Sequence, residues 1–345
     1  MAEPTMAVRE GSTPRDEPLM SVRDLQVEFS TSAGVVRALD GVSFDVRRGE
    51  TIAILGESGS GKSVTAQAIM ALLPKPAGSI VGGSIHYAGR DLAALPIGDV
   101  RRICGTEIAM IFQDPLSSLN PVFRVGWQIA EPFRKRLGMD KQQARAKALE
   151  LLDRVGIPDA GRRIRDYPHQ FSGGQRQRIM IAMAIALEPK LLIADEPTTA
   201  LDVTVQSQIM KLLANLQAET GMGMILISHD LGVVADVAER AAIMYAGRIV
   251  ESGTIRQVYD YPAHPYTQGL LASIPSTKAI GERLVPIAGA PPNLLALPTG
   301  CSFHPRCPYA VDRCRAEIPL LRRPDGWEPG HVAACFRSEE VLAHD

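Results

Sequence analysis

The sequence predicts an α/β fold: a mostly parallel sheet covered on both faces by helices, with a helical insertion and a loop-rich C-terminal extension. Three observations predict it. Short apolar runs bounded by turn residues recur as "TIAIL" at 51, "IAMIF" at 108, "LLIAD" at 191 and "MILIS" at 224, and read as buried strands. Helical patterns such as "VTAQAIMALL" and "VTVQSQIMKLLANLQAET" stand between them, the alternation of a parallel sheet. The first of these strands runs straight into a glycine-rich loop and a helix, "GESGSGKS" followed by "VTAQ".

Residues 1–20 are rich in Pro, Glu, Arg and Ser, lack periodicity and are expected to be a disordered lead. From Val22 to Val46, "VRDLQVEFS" and "VSFDV" read as strands, with turn signals in "SAGV" and "RRGE". Between about 114 and 180 the pattern turns helical, with "QARAKALELLDRV" its clearest amphipathic stretch, so a helical subdomain is expected there. The core is expected to span 21–255. Beyond it, residues 256–345 hold Pro- and Gly-rich stretches ("YPAHPYTQG", "AGAPPNLLALPTG") and read as a loop-heavy module.

The 345 residues are 46% hydrophobic and 22% charged, ordinary for a water-soluble globular protein. A net charge of −1 gives no global field for nucleic acid or an acidic membrane. The longest apolar run, "IMIAMAIAL" at 179–187, is far short of the ~20 residues that cross a bilayer. The N-terminus lacks the apolar segment of a secretory signal, so a cytosolic setting is expected.

The loop Gly56, Glu57, Ser58, Gly59, Ser60, Gly61, Lys62, Ser63 carries the chemistry of phosphate binding. Its glycines let backbone N–H groups turn inward around phosphate oxygens, and the following helix adds its N-terminal dipole. Lys62 would reach the β- and γ-phosphates of ATP, and Ser63 would offer its hydroxyl to Mg²⁺. In "LLIADEP" a strand ends in two acids. Asp195 would hold Mg²⁺ through water, and Glu196 would polarise an attacking water.

With "FSGGQRQR" at 171–178 upstream of "ADEP", the sequence resembles the ABC-type ATPases, which share the P-loop NTPase core. Gln113 in "FQDP" matches that family's Q-loop, Asp202 in "ALD" its D-loop and His229 in "ISHD" its switch histidine. The resemblance covers about residues 22–255 and implies an antiparallel β subdomain beside the parallel core. It implies that Ser172, Gly173, Gly174 and Gln175 close on ATP bound by an opposite subunit. Gln113 would touch the metal and the water, and His229 would hold the γ-phosphate, Glu196 and the water. Phe29 is the candidate to stack on adenine; a half-buried strand Phe is the equal alternative.

"FQDPLSSLNPVFRVGWQIAEPF" and "HPYTQGLLASIP" further resemble the ATP-binding subunits of oligopeptide/dipeptide (Opp/Dpp-type) importers. That resemblance implies a heterodimer with a second related ATPase, two membrane permease subunits and an extracytoplasmic binding protein. It places the chain peripherally on the cytoplasmic face of the membrane, powering peptide import. Nickel, glutathione or another small solute stays open as cargo. A soluble ATPase acting on nucleic acid or ribosomes is the alternative of another class, disfavoured by the lack of a long coiled coil or a basic face.

Four of the five cysteines fall in the tail: Cys301, Cys307, Cys314 and Cys335. In the cytosol such a group points to metal over disulfides. Four thiolates suit tetrahedral Zn²⁺ or a [4Fe–4S] cluster. Structural zinc usually takes two tight pairs, whereas here five, six and twenty residues separate the cysteines. Opp/Dpp-type ATPases resembling this tail can carry a [4Fe–4S] cluster, the preferred reading; zinc and free thiols remain alternatives. His304 and His331 are possible substitute ligands. Cys104 stands alone and reads as an ordinary small residue.

Overall fold

A computed structural model describes residues 17–274, 286–323 and 325–342. Most of the expected lead, residues 1–16, lies outside that range, as does Pro275, the last residue of "HPYTQGLLASIP". Eleven strands form two sheets among the described residues: β1 (Met20–Thr31), β2 (Gly34–Val46), β3 (Thr51–Leu55), β4 (Gly78–Tyr87), β5 (Arg90–Asp91), β6 (Ile108–Ile111), β7 (Leu191–Asp195), β8 (Gly223–Ser228), β9 (Arg240–Tyr245), β10 (Arg248–Thr254) and β11 (Val332–Ala333). An antiparallel sheet runs in the order β2-β1-β4-β5. The main sheet runs β11-β10-β9-β3-β8-β7-β6. Its strands from β9 to β6 are parallel, and β10 and β11 are added antiparallel at one edge.

Period-two alternation explains why the central strands read as unbroken apolar runs. In β3, Ala53 and Leu55 face the core shared with the helical region and the C-terminal segment. Ile52 and Ile54 face the core shared with the antiparallel sheet. In β7 and β8, Leu192, Ala194, Met224 and Leu226 face the first core; Leu191, Ile193, Ile225 and Ile227 face the second. Each such buried Ile or Leu contributes about 1.5–3 kcal/mol relative to an exposed one.

Helices dominate residues 115–184, chiefly Val125–Arg136, Lys141–Arg154 and Gly173–Ala184. The Asp140 carboxylate accepts from the Gln142 and Gln143 N–H groups, while Gln143 Oε1 accepts from Asp140 N–H, so a capping box starts the second of these. The helix Val203–Thr220 has the bounds its periodicity predicts; Asp202 caps its start, and Gly221, at φ +65°, ends it. Among the described residues no helix is long and apolar enough to cross a membrane.

The C-terminal segment is more closely built into the core than its loop-rich composition suggests. Strand β11 extends the main sheet against β10, and Phe303, 2% exposed, enters the first core. The ring of Phe303 meets those of Tyr245, Tyr266 and His264 at 5.2, 5.4 and 5.7 Å. Glu251 of β10, fully buried, accepts from the Ala263 and His264 N–H groups and is bonded to His331 Nε2.

The phosphate-loop strand ends at Gly56, whose backbone lies against β9. At φ +152° this residue is in a region that favours glycine, and a Cβ there would stand 2.3 Å from the Met244 carbonyl oxygen. Gly56→Ala is therefore expected to lower folding stability by about 1–3 kcal/mol. Urea denaturation checks this, and an unchanged midpoint would contradict the close approach of loop and strand.

Candidate active site

The neighbours β3, β8, β7 and β6 deliver one group of residues each from their carboxyl ends. The phosphate loop follows β3, His229 follows β8, Asp195 and Glu196 close β7, and Gln113 follows β6. This is the edge at which open α/β sheets bind ligands.

Within the loop, Lys62 is 4% exposed and opens the helix Lys62–Ile69. Its Nζ donates to the carbonyls of Gly56 at 2.8 Å and Glu57 at 3.0 Å. Burial pushes the Lys62 ammonium below its usual range, and the charges of Glu196, Asp195 and Glu57 oppose that shift. Ser63 Oγ donates to Asp195 Oδ1 at 3.0 Å. Burial holds the Asp195 carboxyl above its ordinary range despite that hydrogen bond. Ser60 Oγ is buried without a hydrogen-bond partner.

Three polar groups converge on one oxygen, Glu196 Oε2. Gln113 Nε2 donates at 2.8 Å, Thr199 Oγ1 donates at 2.8 Å, and His229 Nδ1 stands at 3.3 Å. Burial would push the Glu196 carboxyl up, but the Thr199 hydroxyl and His229 outweigh it and leave it lowered. Glu196 is thus held as the carboxylate, the form that accepts a proton. Its backbone is at φ +46°, and its N–H donates to the Ile227 carbonyl of β8. A non-glycine residue in that region is a form of strain that gathers at functional sites.

The remaining sequence-predicted residues stand apart from this group. Ser172 caps the helix Gly173–Ala184: its Oγ accepts from Gln175 N–H, and Gln175 Oε1 accepts from Ser172 N–H and from Arg163. Gly173 is exposed, and Gly174 lies close to Val205. Asp202 accepts from Val205 N–H. Phe29 pairs across β1 with Val36 of β2 and Gly78 of β4, and its half-buried ring lies over Gly78.

Sequence reasoning missed three residues here. Thr199 follows Glu196 by three positions, and that spacing was its only signal. Tyr266 Oη accepts from Glu57 N–H at 2.8 Å, and Arg306 forms an ion pair with the Glu57 carboxylate at 2.6 Å. Nothing local marked those two, because their partner lies more than 200 positions away in the chain.

Cys301, Cys307, Cys314 and Cys335 all line one small cavity, with His264, His304 and Phe303. Burial holds the Cys301 thiol above its usual range, and pushes Cys307 up to about 11 and Cys335 up to about 12. Among the described residues no group of three or more His, Cys, Asp or Glu is arranged to hold a metal ion. His331 is bonded to Glu251 and does not line the cavity; His304 does, with Nδ1 2.9 Å from the Cys301 carbonyl. Cys104 lies apart, its thiol directed at the Ile69 carbonyl.

The two sheets and the four-strand edge define an ATP-binding cassette. The sequence pattern of the ABC transporter family matches residues 39–199, and that of the oligopeptide/dipeptide transporter C-terminal region matches 250–314. The dipeptide transport ATP-binding protein DppD of Bacillus subtilis is 51% identical over 329 residues, 95% of this chain and 97% of that protein. The oligopeptide transport ATP-binding protein OppD of Escherichia coli is 49% identical over 326 residues, 94% and 95% of the two chains. A dimeric ATP-binding cassette solved in a post-hydrolysis state with ADP and Pi superposes with a TM-score of 0.62 at 28% identity. That likeness covers 69% of this chain and 99% of the other. The chain belongs to the ABC transporter ATP-binding family, in its oligopeptide/dipeptide transporter branch.

Glu196→Gln keeps the shape of the site and removes the carboxylate on which the three polar groups converge. The expected result is ATP binding within a few-fold of wild type and turnover reduced by about 10²–10⁴-fold. Phosphate release under saturating ATP measures it, and wild-type turnover would remove Glu196 from the chemistry.

Proposed function

We propose that the chain is the ATP-hydrolysing motor subunit of a peptide importer. The observation that carries the reading is the convergence of Gln113, Thr199 and His229 on Glu196 Oε2, beside a phosphate loop whose Ser63 donates to Asp195. The relatives named for dipeptide and oligopeptide transport, similar over almost their whole length, supply the peptide class.

ATP would lie along Gly56–Ser63. The unpartnered Ser60 hydroxyl and the Lys62 ammonium suit phosphate oxygens. The hydroxyl of Ser63 and the carboxylate of Asp195 are oxygen donors of the kind Mg²⁺ takes, and the Gln113 amide oxygen is proposed to join them. When bound, Mg²⁺ supplies charge neutralisation at the phosphates. Glu196 takes the proton of the attacking water, with Gln113 and His229 holding the carboxylate and the water in line. Phe29 is proposed to meet the adenine.

The exposed Ser172–Gln175 helix start is the half-site offered to ATP on a second, related ATPase, and Asp202 stands near the same seam. ATP closes such a pair only as far as it binds the closed form better than the open one. Closure would move the helical region at about 114–180 relative to the core spanning 21–255. Phe112, Val122, Phe123 and Trp127 are 40–71% exposed around and beyond Gln113, with Phe123 stacked on Trp127 at 4.4 Å. That apolar surface suits a short helix from each of two permease subunits. The chain would work peripherally on the cytoplasmic face of the membrane, and an extracytoplasmic protein would deliver the peptide.

For the C-terminal module, 256–345, we propose that Cys301, Cys307, Cys314 and Cys335 hold a [4Fe–4S] cluster. The reading rests on four thiols that line one cavity and on sequence gaps of five, six and twenty residues, wider than the two tight pairs usual for structural zinc. A bound cluster would supply a covalent cross-link between the loops that carry its ligands. Protons held at Cys307 and Cys335 would have to leave on binding, so acid favours the free thiols.

Two measurements test these readings. In cells that depend on this chain, labelled dipeptide uptake is expected to vanish with Glu196→Gln; continued uptake, or loss confined to a non-peptide solute, overturns the peptide reading. Anaerobically purified protein is expected to hold about four irons and four sulfides per chain, both lost in Cys301→Ser. About one zinc, or no metal at all, overturns the cluster.

A further inference from the structure

The C-terminal segment touches the phosphate loop through one arginine. Arg306 ends the short turn His304–Arg306 between Cys301 and Cys307. Its guanidinium forks onto the Glu57 carboxylate, Nη1 to Oε2 at 2.6 Å and Nη2 to Oε1 at 3.0 Å. Its Nε donates to the Ala288 carbonyl at 2.9 Å, and its side chain is 5% exposed. Tyr245 and Phe303 flank the guanidinium with ring centres at 5.8 and 5.9 Å. Pairing with Glu57 pushes the Arg306 guanidinium still further above its usual range.

Glu57 is the second residue of the loop, and each of its polar groups is committed. The N–H donates to Tyr266 Oη; the carbonyl accepts from Lys62 Nζ and from Ser60 N–H. A carboxylate at this position is a liability for a site that binds a polyanion, because it repels phosphate at short range. A bidentate guanidinium both cancels that charge and fixes its direction.

We propose that Arg306 is a positioning residue for nucleotide binding: it neutralises Glu57 and holds it away from the phosphates, so the C-terminal segment completes the electrostatics of the phosphate loop. The inference rests on the reading of Gly56–Ser63 as the ATP site and adds a residue to it from outside the nucleotide-binding core.

The test is MgATP affinity and steady-state kinetics on the full chain, with thermal melting as the control for folding. Arg306→Gln is expected to raise the Kd and the KM for ATP by about tenfold and to leave kcat within about twofold, the pattern of lost binding without lost chemistry. Arg306→Lys, which keeps the charge, should stay within about threefold of wild type. Adding Glu57→Gln to Arg306→Gln should recover most of the lost affinity, since the exposed charge is then gone. A folded Arg306→Gln with unchanged Kd overturns the proposal. So does a double variant as weak as the single, which would make Arg306 merely structural. Should Arg306→Gln fail to fold, Glu57→Asp exposes the charge from the loop side by shortening the fork; an unchanged Kd there overturns the proposal equally. Lys62→Ala separates the two levels: if it leaves affinity unchanged, the ATP-site reading falls and takes the proposal with it.

Discussion

The structure depends on the position of β3, hydrogen-bonded between β8 and β9 and buried on both faces. Its register sets Leu55 beside Ser228 on one side and Ile243 on the other. One residue further, each neighbour contributes: His229 leaves β8, and the Met244 carbonyl of β9 abuts Gly56. A slip of one residue in β3 would exchange its Ile and Ala/Leu faces between two unlike cores, so the register is strongly specified. The site is as precise as this pairing because its loops start from strand ends that cannot shift.

The C-terminal segment shows how a loop-rich stretch becomes ordered without a core of its own. Its anchors are polar or aromatic and each inserts into the cassette: Phe303 among Tyr245 and Tyr266, His331 on the buried Glu251, Arg306 on Glu57. A buried carboxylate without partners would be costly, but Glu251 is met by two backbone N–H groups and an imidazole. That arrangement secures the turn between the helix Ile255–Asp260 and the helix Pro265–Ala272, which carries Tyr266. Burial pushes the His264 imidazole down to about 3, so this corner keeps a neutral ring across the physiological range.

Much of the fold was legible because buried parallel strands are short apolar runs and helices start with capping residues. β3, β6, β7 and β8 lie where those runs stand, and the helix at 203–220 matches its pattern residue for residue. The hairpin of β9 and β10 went unassigned: its turn is only Ala246–Gly247, both at positive φ, and alanine is a weak turn signal there. β11 is two residues long and owes its existence to the edge of β10. Of the site, the phosphate loop and the acid pair could be read from spacing. Tyr266 and Arg306 could not, because each acts on a residue more than 200 positions away, and Thr199 had only its spacing of three from Glu196 as a signal.

The charges of the site are arranged for a ligand that carries both signs. Burial pushes Lys62 down and Asp195 up, so each group is biased towards its neutral form by its surroundings. A polyphosphate beside Lys62 and a divalent cation beside Asp195 would each reverse the shift next to it. Either ion alone would leave one of the two groups uncompensated in a poorly hydrated setting. The Glu57 carboxylate would disturb this balance on the side of the phosphates, and Arg306 removes it. Glu196, by contrast, is lowered in spite of its burial by the Thr199 hydroxyl, His229 and the Lys62 charge, and so favours the carboxylate. The separation of roles between the adjacent acids therefore follows from their hydrogen bonds: Asp195 faces the hydroxyl of Ser63, and Glu196 faces the groups that would position water.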